Sequence, residues 1–289
     1  MENFKVEMLI SVIIPVFNKI EIIEECIKLN MLHANQSCEW IIIDNNSDAP
    51  TKEGLMKIEL YANNLGHACH IITEPKNTGV AVAWNTGLKL ATCNYICVLN
   101  NDCVMMPGWD EALVRFNENK NLCGIISPLI VEQGDLNTSY NYTLDSFLQG
   151  NENWEYLLKK NHNRFREGYF SGIVLFAKKH VFDLIGAFDE KFWLSMEDMD
   201  YLYRVQKEGF VSGITGECTA FHFSSLTRKS VNHDESANHE IFKIKWNWSF
   251  VNEESRWFNK LIRKWQKRSW KYFHVLSEWK QRFPQNTNN

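Results

Sequence analysis

Four groups of polar residues in this chain have the types and spacing to do chemistry. Asp44-Asn45-Asn46-Ser47-Asp48 follows the apolar run Trp40-Ile41-Ile42-Ile43. A carboxylate in that place can accept hydrogen bonds from a nucleobase or ribose, although turn-forming Asx and Ser residues also describe a plain loop. Asn100-Asn101-Asp102 follows Ile96-Cys97-Val98-Leu99. A hard carboxylate there suits Mg2+ or Mn2+ bridging a diphosphate, with a polar turn as the plainer reading. Glu197, Asp198 and Asp200 cluster where a helix is expected to start. The helix dipole favours negative charge there, but three acids within four residues exceed what a cap needs. His222 follows the strand-like Cys218 to Phe221 and precedes a polar, basic stretch holding Arg228 and Lys229. An imidazole can ligate a transition metal and the cations can neutralise phosphate, although a lone histidine is more often structural.

These groups need elements to hold them. Residues 9–17 are rich in β-branched side chains and end at Asn18, the pattern of a fully buried strand entering a loop. A helix is expected over 20–33, a strand over 39–44, a crossover helix over 51–64 and a strand over 68–73. A helix over 80–91, a strand over 95–99 and a helix after Pro107 follow. This alternation predicts a mostly parallel sheet covered on both faces. In such sheets ligands collect beyond the C-terminal ends of the strands, so Asn18, Asp44 and Asp102 would share one edge. Residues 128–168 look irregular and read as a hairpin or loops. An apolar strand containing Gly172 is expected over 169–177, a helix over 178–185 stopped by Gly186, and another from Met196 to Glu208 stopped by Gly209.

The chain has 289 residues, 45% of them hydrophobic, enough for a sizeable core. Its apolar N-terminal run is too short for a membrane span or signal peptide, so a cytoplasmic protein is expected. The eight cysteines include no CxxC pair and read as small apolar residues in a reducing compartment. GxxxxGK, HExxH, GxGxxG and GxSxG are all absent, which removes support from P-loop kinase and zincin readings. The net charge of −4 hides an asymmetry: residues 243–289 hold eleven Lys and Arg against three Glu, while the remainder is acidic. Six of the eleven tryptophans fall in that basic tail. Phe258, Leu261, Ile262, Trp265, Tyr272, Leu276 and Trp279 recur there at helical spacing.

In this order the pieces resemble a GT-A glycosyltransferase of the large inverting family 2, over about residues 9–230. The segments that carry the resemblance are residues 11–18, 43–48, Asn77-Thr78-Gly79 with Asn85-Thr86-Gly87, 99–102, and 186–190 through 196–200 to Arg204. The resemblance implies a Rossmann-like α/β domain over 1–240, with a nucleotide-binding half (1–125), an acceptor half (126–240) and a helical extension over 241–289. It implies a nucleoside diphosphate sugar donor held by Pro15, Phe17, Asn18, Asp44, Asn46, Asn77, Gly79, Asn85, Asn100, Asn101 and Arg228. Asn100 and Asp102 match the ends of the family's DxD motif. The first acid is Asn here, as in rhamnosyltransferase-like members, so Asp102 is left as the main acidic ligand of a divalent metal, Mn2+ or Mg2+, with His222 beside it. Asp198 matches the general base of the ED motif, next to Glu197. Trp193 and Gly172 are expected on the acceptor side. Trp84 departs from the Arg or Lys often found at its position.

Together these imply an inverting transfer of sugar to an acceptor hydroxyl. A degenerate GT-A scaffold without activity and a nucleotidyl- or phosphotransferase are the competing readings. The acceptor is a glycan, a lipid-linked glycan or modified DNA. The tail over 255–282 packs internally, touches an anionic membrane or binds nucleic acid.

Overall fold

The computed structural model describes residues 8–132, 154–223 and 235–246. Its first half is a run of parallel β-α units: β1 (Ile10–Val16), α1 (Ile20–His33), β2 (Glu39–Asp44), α2 (Ala49–Asn64), β3 (Ala68–Thr73), α3 (Val80–Leu90) and β4 (Tyr95–Leu99). β5 (Cys103–Met105), α4 (Trp109–Glu118) and β6 (Cys123–Glu132) follow. Then come α5 (Trp154–Asn161), β7 (Phe165–Glu167), β8 (Val174–Lys178), α6 (Lys179–Ile185), α7 (Glu197–Lys207), β9 (Val211–His222) and α8 (Glu235–Trp246).

The described strands form one sheet in the order β3-β2-β1-β4-β8-β6-β9-β5, with β7 against β9. β3, β2, β1 and β4 run parallel, whereas β8 is antiparallel to β4 and β5 is antiparallel to β9. The parallel strands alternate between two cores. Val12, Ile14, Trp40 and Ile42 pack with α1, α2 and Trp109 of α4, while Ile13, Ile41 and Ile43 pack with Trp84 of α3 and Tyr201 of α7. Both faces are therefore buried, as unbroken β-branched runs require.

Of the region expected to be irregular, residues 133–153 lie outside the described residues, and the described flanks differ from that expectation. β6 reaches residue 132 and α5 and β7 follow at 154 and 165. Pro128 obscured β6: it lacks an N–H for the ladder, and the β6–β9 register shifts between Pro128 and Leu129. The strand expected over 169–177 begins only at Val174, and Gly172 lies in a turn before it. β9 is twelve residues long, not the short run before His222. A Cβ at its Gly213 would lie 2.2 Å from the Arg166 carbonyl oxygen and one at Gly216 2.0 Å from that of Asn161. They are glycine because β7 and α5 press against the strand. No helix among the described residues is long and apolar enough to cross a membrane, and all eight cysteines are buried as free thiols.

Candidate active site

β1, β2 and β4 are parallel, so their C-terminal ends converge on one edge. A cleft of about 370 Å³ opens there. From the parallel half it is lined by Pro15 near the C-terminal end of β1 and Phe17 just after it, Asn77 and Gly79 before α3, and Asn100, Asn101 and Asp102 after β4. The second half adds Gly172, Trp193, Glu197, Asp198 and His222.

The loop after β4 is tied on three sides. Asn101 Nδ2 donates to the Pro15 carbonyl at 2.9 Å. The Asn100 N–H donates to the Ile173 carbonyl at 2.9 Å, and the Asp102 carbonyl accepts the Phe223 N–H at 2.9 Å. Antiparallel pairing sets Cys103 opposite His222. That register brings His222 Nε2 to 3.1 Å from Asp102 Oδ1, with both residues more than nine-tenths buried. A carboxylate beside an imidazole is a donor set that Mn2+ accepts. Among the described residues no group of three or more His, Cys, Asp or Glu side chains is placed to hold a metal ion. The fit to a divalent metal is thus a two-residue one, with phosphate oxygens or water needed to complete the coordination.

Asp198 sits in the first turn of α7 behind Met196, whose φ of 72° starts the helix abruptly. Its Oδ2 accepts the Gly172 N–H at 2.6 Å and its Oδ1 accepts the Met199 N–H at 2.7 Å. A Cβ on residue 172 would lie 2.6 Å from Asp198 Cβ, so glycine is what allows this approach. Gly79 plays a similar part across the cleft. Its φ is +84°, and a Cβ there would stand 2.5 Å from both the ring and the carbonyl oxygen of Trp193. That carbonyl accepts the Val80 N–H at 2.9 Å, locking α3 to the loop carrying Trp193. Gly79→Ala is therefore expected to cost about 2 kcal/mol or more in chemical denaturation, since strained φ and a backbone clash act together. An unchanged denaturation midpoint would contradict this packing.

Several residues expected at the site stand behind it. Asp44 is fully buried and does not line the cleft: its Oδ1 accepts the Ser47 N–H at 2.8 Å, and its Oδ2 has no hydrogen-bond partner among the described residues. Asn18 is bound to the loop after β2, its N–H donating to Ser47 Oγ and its Oδ1 accepting the Asp48 N–H. Asn46 is exposed with a φ of 62°. Asn85 spends its amide on the Phe188 N–H and C=O and on Glu190, outside the cleft lining. Arg228 and Lys229, like the tail helix over 255–282, lie outside the described residues.

Several lining residues were not singled out as site residues from the sequence, among them Asn45, Trp84 and His239. Asn45 accepts from the N–H and hydroxyl of Thr78 and donates to the Gly79 carbonyl, joining the loop after β2 to the start of α3. Its place in the polar run after β2 was the available signal. Trp84 is 1% exposed and its ring packs at a tilt against Phe188, with centroids 4.8 Å apart. His239, from α8, had no sequence signal at all.

A model of the family described as "Glycosyl transferase family 2" matches residues 11–183. Glycosyltransferase AglE of Haloferax volcanii is 30% identical over 104 residues, which cover 35% of this chain and 33% of that protein. The dTDP-rhamnosyl transferase RfbF of Shigella flexneri is 20% identical over 190 residues, 65% of this chain and 60% of its own. The chain thus spans less than two thirds of the length of either relative. The crystal structure of GalNAc-T7 with UDP, GalNAc and Mn2+ superposes with a TM-score of 0.58 at 14% identity, covering 76% of this chain and 44% of that one. At that identity the likeness is one of fold, and it bears out the GT-A architecture expected from the sequence.

Proposed function

This chain belongs to glycosyl transferase family 2, and from that premise we propose that it moves a sugar from a nucleoside diphosphate donor to an acceptor hydroxyl in one inverting displacement. The observation that carries the reading is that Asp198 and the Asp102–His222 pair line a single cleft at the C-terminal edge of the parallel strands.

Asp198 is the general base. Hydrogen bonds from Gly172 and Met199 fix its carboxylate, and the helix start favours its ionised form. It takes the proton of the acceptor hydroxyl as that oxygen attacks the anomeric carbon from the face opposite the diphosphate. One base suffices, because a single displacement needs no enzyme nucleophile. Glu197 lies beside it in the cleft lining.

Asp102 and His222 would hold a divalent metal, Mn2+ or Mg2+, which when bound offsets the charge on the departing diphosphate. The Mn2+ named with GalNAc-T7 supports this coarsely. Pro15, Phe17, Asn77, Gly79, Asn100 and Asn101 form the donor wall. Asp44 completes it from behind: a buried carboxylate oxygen without a partner is costly, and a nucleoside N–H or hydroxyl that reached it would offset that cost. Asn18 and Asn85 act by holding loops. Residues 1–125 serve the nucleotide and 126–240 the acceptor, with 241–289 as an extension. Trp193 and Gly172 stand on the acceptor side, and the acceptor is a glycan, a lipid-linked glycan or modified DNA.

The test is the thermal unfolding midpoint with a panel of nucleoside diphosphates and their sugars, with and without Mn2+ or Mg2+. One nucleotide is expected to raise it by several degrees in a metal-dependent way, because a ligand binding only the native state stabilises it. Asp102→Ala should remove the metal-dependent part. If no nucleotide moves the midpoint with either metal, the donor site does not exist.

A further inference from the structure

α8 is held against the start of the base-bearing helix by a continuous stripe. Asn238, Phe242, Lys245 and Trp246 fall at i, i+4, i+7 and i+8, one face of a helix. Asn238 Nδ2 donates to Ser195 Oγ at 3.0 Å, and Ser195 lines the cleft. Phe242 is 1% exposed and packs on Phe192 and Tyr203. Lys245 Nζ bridges Asp189 at 2.6 Å and Asp200 at 2.7 Å, and Trp246 Nε1 donates to Asp200 at 2.8 Å. The ammonium beside Asp189 helps hold its carboxyl below the usual range against the opposing effect of burial.

His239 stands one residue beyond Asn238, at the margin of that stripe, and its exposed side chain lines the same cleft as Asp198 and Trp193. The parts of a sugar subsite are thus assembled. The half-buried indole of Trp193 suits the apolar face of a pyranose, the imidazole both donates and accepts hydrogen bonds, and a base stands ready for a hydroxyl.

We propose that α8 is the acceptor-side wall of the cleft and that His239 contacts the acceptor, a sugar residue whose hydroxyl reaches Asp198. This rests on the transferase reading above. It goes beyond the matched family region, which ends at residue 183, and assigns to a later helix the recognition of the second substrate. His239 makes no contribution to donor binding or to the departure of the diphosphate.

The experiment compares the full chain with His239→Ala and His239→Gln in three readouts. These are the midpoint rise with the nucleoside diphosphate and Mn2+, slow donor hydrolysis with water as acceptor, and extra nucleotide release on adding methyl glycosides at millimolar concentration. His239→Ala is expected to raise the glycoside KM by about tenfold, the worth of one hydrogen bond, while the first two readouts stay within about twofold. His239→Gln keeps a donor and an acceptor and should recover part of the loss. Glycoside-dependent release unchanged in His239→Ala overturns the proposal. So does a wild type that hydrolyses donor but responds to no glycoside. A wild type showing neither nucleotide response nor hydrolysis overturns the transferase reading itself, which is a separate failure.

Discussion

Asp198→Asn should lower the transfer rate by about 100- to 10,000-fold, the span that general-base catalysis covers. The substitution keeps size and shape, so Gly172 can still approach and the helix still starts at Met196. What disappears is the ability to take a proton, together with one of the two bonds from Gly172 and Met199, since an amide offers a single acceptor oxygen. Nucleotide release with acceptor present measures the loss, and the metal-dependent midpoint rise checks that the donor still binds. A variant releasing nucleotide at near the wild-type rate would remove Asp198 from the chemistry. Glu197 would then be the carboxylate to test next.

The second large effect is on stability. Asp200 is fully buried and accepts from Arg204 Nε at 3.1 Å, Lys245 Nζ at 2.7 Å and Trp246 Nε1 at 2.8 Å. Asp200→Ala strands two cations and an indole N–H. Lys245 retains Asp189, and Arg204 retains the carbonyls of Ile185 and Ala187, so part of the network survives. Loss of the buried carboxylate is still expected to cost about 3 kcal/mol, the lower end for breaking a buried ion pair. In a protein of this size that corresponds to roughly 6–12 °C in thermal midpoint. Asp200→Asn, which keeps one oxygen, should lose less. A shift below about 2 °C in Asp200→Ala would mean that α8 is not held as described.

The parallel half was legible because its physics is local. β1, β2, β3 and β4 are short β-branched runs ended by polar residues, and each was expected within a residue or two of where it lies. The second half follows distant contacts. At Gly213 and Gly216 the sequence cannot reveal that a neighbouring backbone passes about 2 Å from a hypothetical Cβ. Tyr169 to Ile173 reads as strand because it is apolar, yet it bends so that Gly172 can serve Asp198. At the site, Asp102, Asp198 and His222 were visible as residues whose polarity had no local use. Asn85 was visible too, but its amide is consumed in joining α3 to residues 188–190. His239 was invisible, since one histidine on a helix carries no pattern. Only the packing of Asn238 and Phe242 turns it toward the cleft.

The pairing of Cys103 with His222 reaches further than the sheet. Asp102 and His222 are 120 positions apart in the chain, and they meet because β5, at the end of the sheet, is in register with its neighbour β9. A slip of two residues would keep every side chain on its proper face, and so leave the core nearly intact, while carrying the imidazole some 7 Å from the carboxylate. Hydrophobic burial alone therefore cannot proofread this pair. The bond from the Phe223 N–H to the Asp102 carbonyl closes the ladder just past the pair. It acts as an end-stop, and the entropy of bringing the two side chains together is spent once, during folding.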